Sequence, residues 1–245
     1  MNRHGLQRSL FAAFGACVVL FAAGAGAKDR GPAFTTDFQI ERCTFSSRGD
    51  NPFFVLDGGR LVLEGDDDGD IERVEITVTN DLERIELPGA GTLFARVVEE
   101  REWVNGTLIE VSRNFFATCE ETNDVFYFGE EVDIYHDDGT VTHDGAWRAG
   151  EPDANGVAEP GIIMPGRFLL GARYFQEIAE GTAMDRAENA EMGLDVTTPA
   201  GEFHDCVKVV ETTPLEPKAV SVKLYCPGIG LVYDDGVELV EYHRQ

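Results

Sequence analysis

Runs of β-branched and aromatic residues, divided by turn residues, dominate the hydrophobic pattern and predict strands along most of the chain. Phe53 to Glu64 and Ile71 to Asn80 flank an acidic turn. Thr92 to Val104 and Thr107 to Phe116 flank Asn105-Gly106, a strong two-residue hairpin signal. Val125 to Tyr135 and Thr140 to Trp147 flank a second such signal, Asp138-Gly139. Glu202 to Thr212 and Lys218 to Val232 read as one long hairpin around a Pro-bracketed turn, with Val237 to Tyr242 as a last short strand. Ala183 to Met192 has helix-forming composition, enough for two or three turns at most. Arg148 to Gly171, rich in Gly, Pro, Asp and Asn, predicts a long loop or linker. Within it the apolar Ile162-Ile-Met164 is expected to touch a ligand or fold back onto the core. The fold class is therefore mainly β: an antiparallel, hairpin-rich sheet, built as a curled sheet, an open barrel or a sandwich.

The amino terminus departs from this pattern. Arg3 and Arg8 precede an apolar run from Leu10 to Ala23, and Ala25-Gly26-Ala27 offers a small-residue cleavage site. Residues 1–27 read as a signal peptide, and the run is too short and too rich in Gly and Ala for a comfortable membrane span. Cys17 loosely fits a lipidation site, but the apolar run continues beyond it, so it is read as part of the signal. A periplasmic or secreted location follows, with no integral membrane segment after cleavage. Residues 28–245 are expected to form a single β-rich domain, with a weak subdivision near residue 150. Losing Arg3 and Arg8 moves the formal charge from −25 to −27. That charge excludes nucleic acid as a partner and makes cations the natural small ones; the identity of any macromolecular partner is not readable.

Export changes the meaning of the cysteines. Cys43, Cys119, Cys206 and Cys226 remain, an even number that points to disulfides. A hairpin centred near Glu216 places Cys206 directly opposite Cys226, at a separation a disulfide can bridge. Cys43–Cys119 follows by elimination. No CxxC spacing is present, which argues against a redox pair or a zinc ribbon.

The carboxy-terminal segments Pro199-Ala-Gly-Glu-Phe203, Leu215-Glu-Pro217 and Tyr225-Cys-Pro-Gly-Ile-Gly-Leu-Val232 resemble a family of uncharacterised exported bacterial proteins. Asn51-Pro-Phe53, Phe126-Tyr-Phe-Gly-Glu130, Gly145-Ala-Trp147, Pro160-Gly-Ile-Ile-Met164 and Gln176-Glu177 fit the same resemblance. It implies a β-rich extracytoplasmic protein and assigns no catalytic residue. Glu130 and Glu177 fall within these segments and Asp185 close by, yet nothing in the sequence separates them from surface acids.

Three constellations could carry chemistry. Glu64, Asp66, Asp68, Asp70 and Glu75 overlay a twelve-residue calcium-loop pattern around Gly69, although Glu64 replaces the usual Asp and the flanks are strands. Ca²⁺ is the one cofactor the sequence offers, against a solvated hairpin turn whose charges block edge pairing. His136 and His143 flank the Asp138-Gly139 turn; a two-residue hairpin sets them on one face, opposite Val141 and Ile134. They could share a transition metal or sit half-buried on a packing surface. Phe115, Phe116, Phe126, Tyr127, Phe128 and Tyr135 form an aromatic stripe that serves as core or as a ligand cleft. Nucleophile elbows, HExxH, phosphate loops and dinucleotide fingerprints are all absent. The expected function is a non-catalytic binding or envelope-accessory β-domain, with a metal-dependent enzyme and a Ca²⁺-stabilised structural module as alternatives.

Overall fold

Turn chemistry sets the register of the longest strands. Asn105 and Gly106 both adopt positive φ (51° and 78°) and close a tight hairpin between β4 (Gly91–Val104) and β5 (Thr107–Cys119). The computed structural model describes residues 33–67 and 69–244, so the amino-terminal signal lies outside the described residues. In chain order the flanking strands are β1 (Phe45–Ser46), β2 (Gly59–Asp67), β3 (Asp70–Leu87) and β6 (Val125–Tyr135). Short elements follow: β7 (Val141–Thr142), β8 (Trp147–Arg148), β9 (Glu159–Met164), β10 (Arg173–Phe175) and β11 (Glu177–Ile178). The chain ends with β12 (Arg186–Thr198), β13 (Gly201–Thr212), β14 (Val220–Cys226), β15 (Gly230–Asp234) and β16 (Val237–His243).

These strands make one large antiparallel sheet of 16 strands, not closed into a barrel. Its main path runs β10-β12-β13-β14-β15-β16-β2-β3-β4-β5-β6-β9-β11 and is continuous across residue 150. The two ends of this path, β10 and β11, are separated in the chain by Gln176 alone. The sheet must therefore curl until its edges lie side by side. Bulges supply the bend, since an extra residue on one strand sharpens the local twist. The largest sets Val78–Leu82 of β3 against Arg96–Val98 of β4, where the buried Arg96 guanidinium donates to the Thr79 and Ser47 carbonyls. At the seam Gly161 of β9 sits so close that a Cβ would stand 2.4 Å from the Phe175 carbonyl oxygen.

Register decides which face each side chain takes. Phe116 and Tyr127 pair across β5 and β6 and point into the curl, stacked with ring centroids 4.7 Å apart. Phe115, Phe126 and Phe128 take the opposite face, where Phe45 caps Phe126 and Phe128 edge-on at 5.4 and 5.1 Å. The aromatic stripe is thus split between core and cavity, and Tyr135 is exposed. Cys206 faces Cys226 and is bonded to it, within the register that pairs Val207 with Tyr225. Cys43 is bonded to Cys119, tying the amino-terminal segment to β5.

Several expectations are corrected. Ala183 to Met192, helical by composition, forms no helix; from Arg186 on it belongs to strand β12 (Arg186–Thr198), because pairing on both sides outweighs a weak propensity. The predicted loop 148–171 contains β9, which pairs with β6 and buries Ile163 and Met164. Lys218 to Val232 is two strands rather than one, broken at Pro227-Gly228 with Gly228 at φ 65°. Phe53 to Asp57 is irregular rather than extended into β2. The Asp138-Gly139 hairpin closes with Tyr135 opposite Val141, one residue off the predicted register, through the loop 137–139.

Candidate functional site: an interior cleft with an apolar and an acidic half

The curl encloses two cavities that meet at Asn114, Phe116 and Ile163, which line both. The outer one holds about 800 Å³ counting the space of its open mouth. Phe54, Leu61, Ile76, Val78, Val98 and Phe116 make its walls apolar. Half-buried Arg60 and exposed His243 and Arg244 stand at its solvent end, while Glu100 and Asn114 mark its deep end.

The inner cavity, about 400 Å³ counting space open to solvent, lies along the seam. Glu130 of β6, Glu177 of β11, Asp185 before β12, Glu211 of β13 and Lys223 of β14 face it. Gln176, the single residue linking the two sheet edges, donates from Nε2 to Glu211 Oε1 at 2.7 Å. Lys223 Nζ lies 2.7 Å from Glu211 Oε2 and 3.8 Å from Asp234 Oδ2. The Tyr127 hydroxyl donates to Asn114 Oδ1, and the Asn114 amide donates to Ser112 at 3.0 Å.

The electrostatics of this interior are one-sided. Glu100, Glu102, Glu110, Glu130, Glu177, Asp185, Glu211 and Asp234 are all buried, against Arg96 and Lys223 as buried cations among the described residues. Glu102 and Glu110 stand directly opposite each other on β4 and β5. Desolvation disfavours the charged form, and like charges add to that penalty. Burial, then Glu102 and Glu130, push the Glu110 carboxyl up to about 9. Burial raises Glu130 to about 8, with the Tyr127 hydroxyl pulling down and Asp185 and Glu102 pushing up. Asp185 rises to about 7 through burial and Glu211, with Lys223 opposing. Glu100 and Glu177 are carried well above the carboxylate range, first by burial and then by their acidic neighbours. Burial alone would lower Lys223, but Asp234 and Glu211 outweigh it and hold the ammonium. Asp234 is itself raised by burial, so Glu211, the closer partner, carries the ion pair. Near neutral pH the inner cavity therefore mixes neutral carboxyls, which donate and accept, with one Lys–Glu pair. Among the described residues, His243 at the mouth is the one serine, cysteine or histidine lining either cavity.

The residues singled out from sequence lie elsewhere. Glu64 and Glu75 are ion-paired to Arg73, and Glu75 also to Arg60 at 2.7 Å. Asp66 accepts the Gly69 amide at 2.9 Å, and Asp70 accepts from Asn105 at 2.8 Å. Asp68 lies outside the described residues. Glu75 pairs opposite Val62, four residues along β2 from Asp66, or about 13 Å at strand rise; the hairpin runs straight instead of wrapping a centre. His136 and His143 are exposed and separately engaged: His136 Nε2 with the Thr142 hydroxyl at 3.1 Å, His143 Nδ1 with the Val132 carbonyl at 2.8 Å. Among the described residues, Cys43, Cys119 and Glu121 form the one trio close enough to share a metal, and both its sulfurs are already in a disulfide. Among the same residues no helix is long and apolar enough to cross a membrane.

Compared with known proteins, the chain matches no family model, no curated protein and no solved structure.

Proposed function

We propose that this chain is an exported protein that binds a small amphipathic molecule inside the curl of its sheet. The observation that carries the reading is the junction of the two cavities at Asn114, Phe116 and Ile163. An apolar body occupies the outer half and a polar head the inner half. Apolar walls supply affinity, and a few convergent polar groups fix orientation. Export is supported by two disulfides, by the amino-terminal charge and hydrophobicity pattern, and by the resemblance to exported bacterial β-proteins.

The neutral dye N-phenyl-1-naphthylamine tests the reading, because its emission rises when it leaves water. Wild-type protein is expected to bind it saturably. Val98→Trp and Val78→Trp, which fill the outer cavity, are expected to weaken binding about tenfold or more while keeping the far-ultraviolet circular dichroism of a β-protein. Equal binding by wild type and both folded variants would overturn the proposal.

A further inference from the structure

The acidic half of the cleft indicates which head group it takes. We propose that the inner cavity receives a cationic nitrogen head, an alkylammonium or guanidinium, whose apolar tail lies in the outer cavity. The proposal rests on the binding reading above and narrows its ligand to one class.

Two buried carboxyls that line the space each carry an oxygen without a hydrogen-bond partner among the described residues. Glu177 is 2 % exposed and lines the inner cavity; the Asp185 backbone and the Trp147 indole lie near its carboxyl, but neither makes a well-formed hydrogen bond to Oε2. Glu100 is likewise 2 % exposed, lines the deep end of the outer cavity, and has an unpartnered Oε1. A buried acceptor left unmatched costs more than a hydrogen bond gains, so a ligand that supplies donors there recovers that cost.

Neighbouring charge decides which donor fits. The titratable groups that act on Glu177 are Asp185 and Glu130; those that act on Glu130, beside the Tyr127 hydroxyl, are Asp185 and Glu102. Each is another carboxyl. The one ammonium at the cavity, Lys223, is engaged by Glu211 and Asp234. Ionising any of these carboxyls would set like charges side by side, which keeps them neutral in the empty cleft. A hydroxyl head would leave them neutral, and a carboxylate or phosphate head would oppose their ionisation further. A nitrogen cation supplies several N–H donors and lets a carboxyl release its proton to solvent and ionise against it, and charge-assisted hydrogen bonds in a low-dielectric site are the strong ones. The competing location for a head group is the mouth, where Arg60 and Arg244 would suit an anion. Arg60, however, is already paired with Glu75 at 2.7 Å and with Glu241 at 3.6 Å.

Displacement of N-phenyl-1-naphthylamine near neutral pH by decylammonium, decanol and decanoate separates these possibilities at constant tail length. Decylammonium is expected to bind about tenfold or more tightly than the other two. Combined Glu100→Gln and Glu177→Gln is expected to bring decylammonium and decanol within about threefold of each other. These changes remove no packed atoms, and melting curves establish that the variant folds. Equal affinities for the three in wild type, tighter binding of decanoate, or an undiminished ammonium preference in the double variant would each overturn the inference while leaving a binding protein. Failure of the dye itself to bind wild type would instead remove the reading on which it rests.

Discussion

Replacing Glu130 by glutamine should stabilise the protein, and only above the ordinary carboxylate range. Glu130 is 6 % exposed on β6, opposite Asn114. In the unfolded chain its carboxyl ionises near 4.5; in the folded chain burial holds it protonated up to about 8. Between those limits the native state binds more protons than the unfolded state, so stability falls as pH rises. At 1.36 kcal/mol per pH unit, the interval from 4.5 to neutrality corresponds to about 3 kcal/mol. Coupling to Asp185 and Glu102 makes this an upper figure. The amide keeps the shape and stays neutral at every pH. Glu130→Gln should therefore match wild type within about 1 kcal/mol near pH 5 and exceed it by up to about 3 kcal/mol near pH 7. Urea titrations followed by Trp147, which is buried with its ring 5.4 Å from Tyr127, would read both conditions. A gain of equal size near pH 5 and pH 8, or a loss near pH 8, would refute the account of a carboxyl kept neutral by its surroundings.

Removing either disulfide should lower stability through the unfolded chain. The loop-entropy relation gives about 3 kcal/mol for Cys206–Cys226 and about 4.5 kcal/mol for Cys43–Cys119, whose partners are 20 and 76 residues apart. Paired Cys→Ser variants, compared by denaturant midpoint and by thiol labelling of purified wild type, check both figures. Gly161→Ala should strain the seam, because the new Cβ would meet the backbone of Phe175 and Gln176 rather than a movable side chain. A loss of about 2 kcal/mol or more, together with weaker dye binding, is expected; a melting curve unchanged from wild type would show that the edges do not meet there.

Local rules made most of the scaffold legible. Asn105-Gly106 fixed a hairpin because few other pairs tolerate two positive φ values; its register holds for Val104–Thr107 and Trp103–Leu108 before a bulge beside Glu102 moves it by one. Counting outward from Glu216 paired Cys206 with Cys226, and the same sum holds from Val207–Tyr225 to Thr212–Val220. The rule failed at Asp138-Gly139, where residues 137–139 form the loop and the pairing moves by one. Composition misled at Ala183 to Met192, whose Ala, Glu and Met carry a helical preference that the strands on both sides of β12 override. The curl was not readable, because it depends on bulges and on β10 and β11 being successive in the chain.

The cleft was hidden for a related reason. Glu100 and Glu102 share alternation parity with Val98, and Glu110 with Phe116, so these acids occupy inward positions. In a chain with 45 Asp and Glu such placement looks like surface charge until the register is known. A usable signal was present: an acid on the parity of a buried apolar neighbour is either misplaced or retained for a purpose. Burial of so many carboxyls against two cations works against folding, since apolar side chains of similar volume would fit with less desolvation cost. A sequence shaped for stability alone would place valine or leucine at Glu100, Glu110 and Glu177. Glu100 lines the apolar cavity and Glu177 the acidic one, each with an oxygen that the fold leaves unmatched, so the proposed binding function falls where the structure gives up stability.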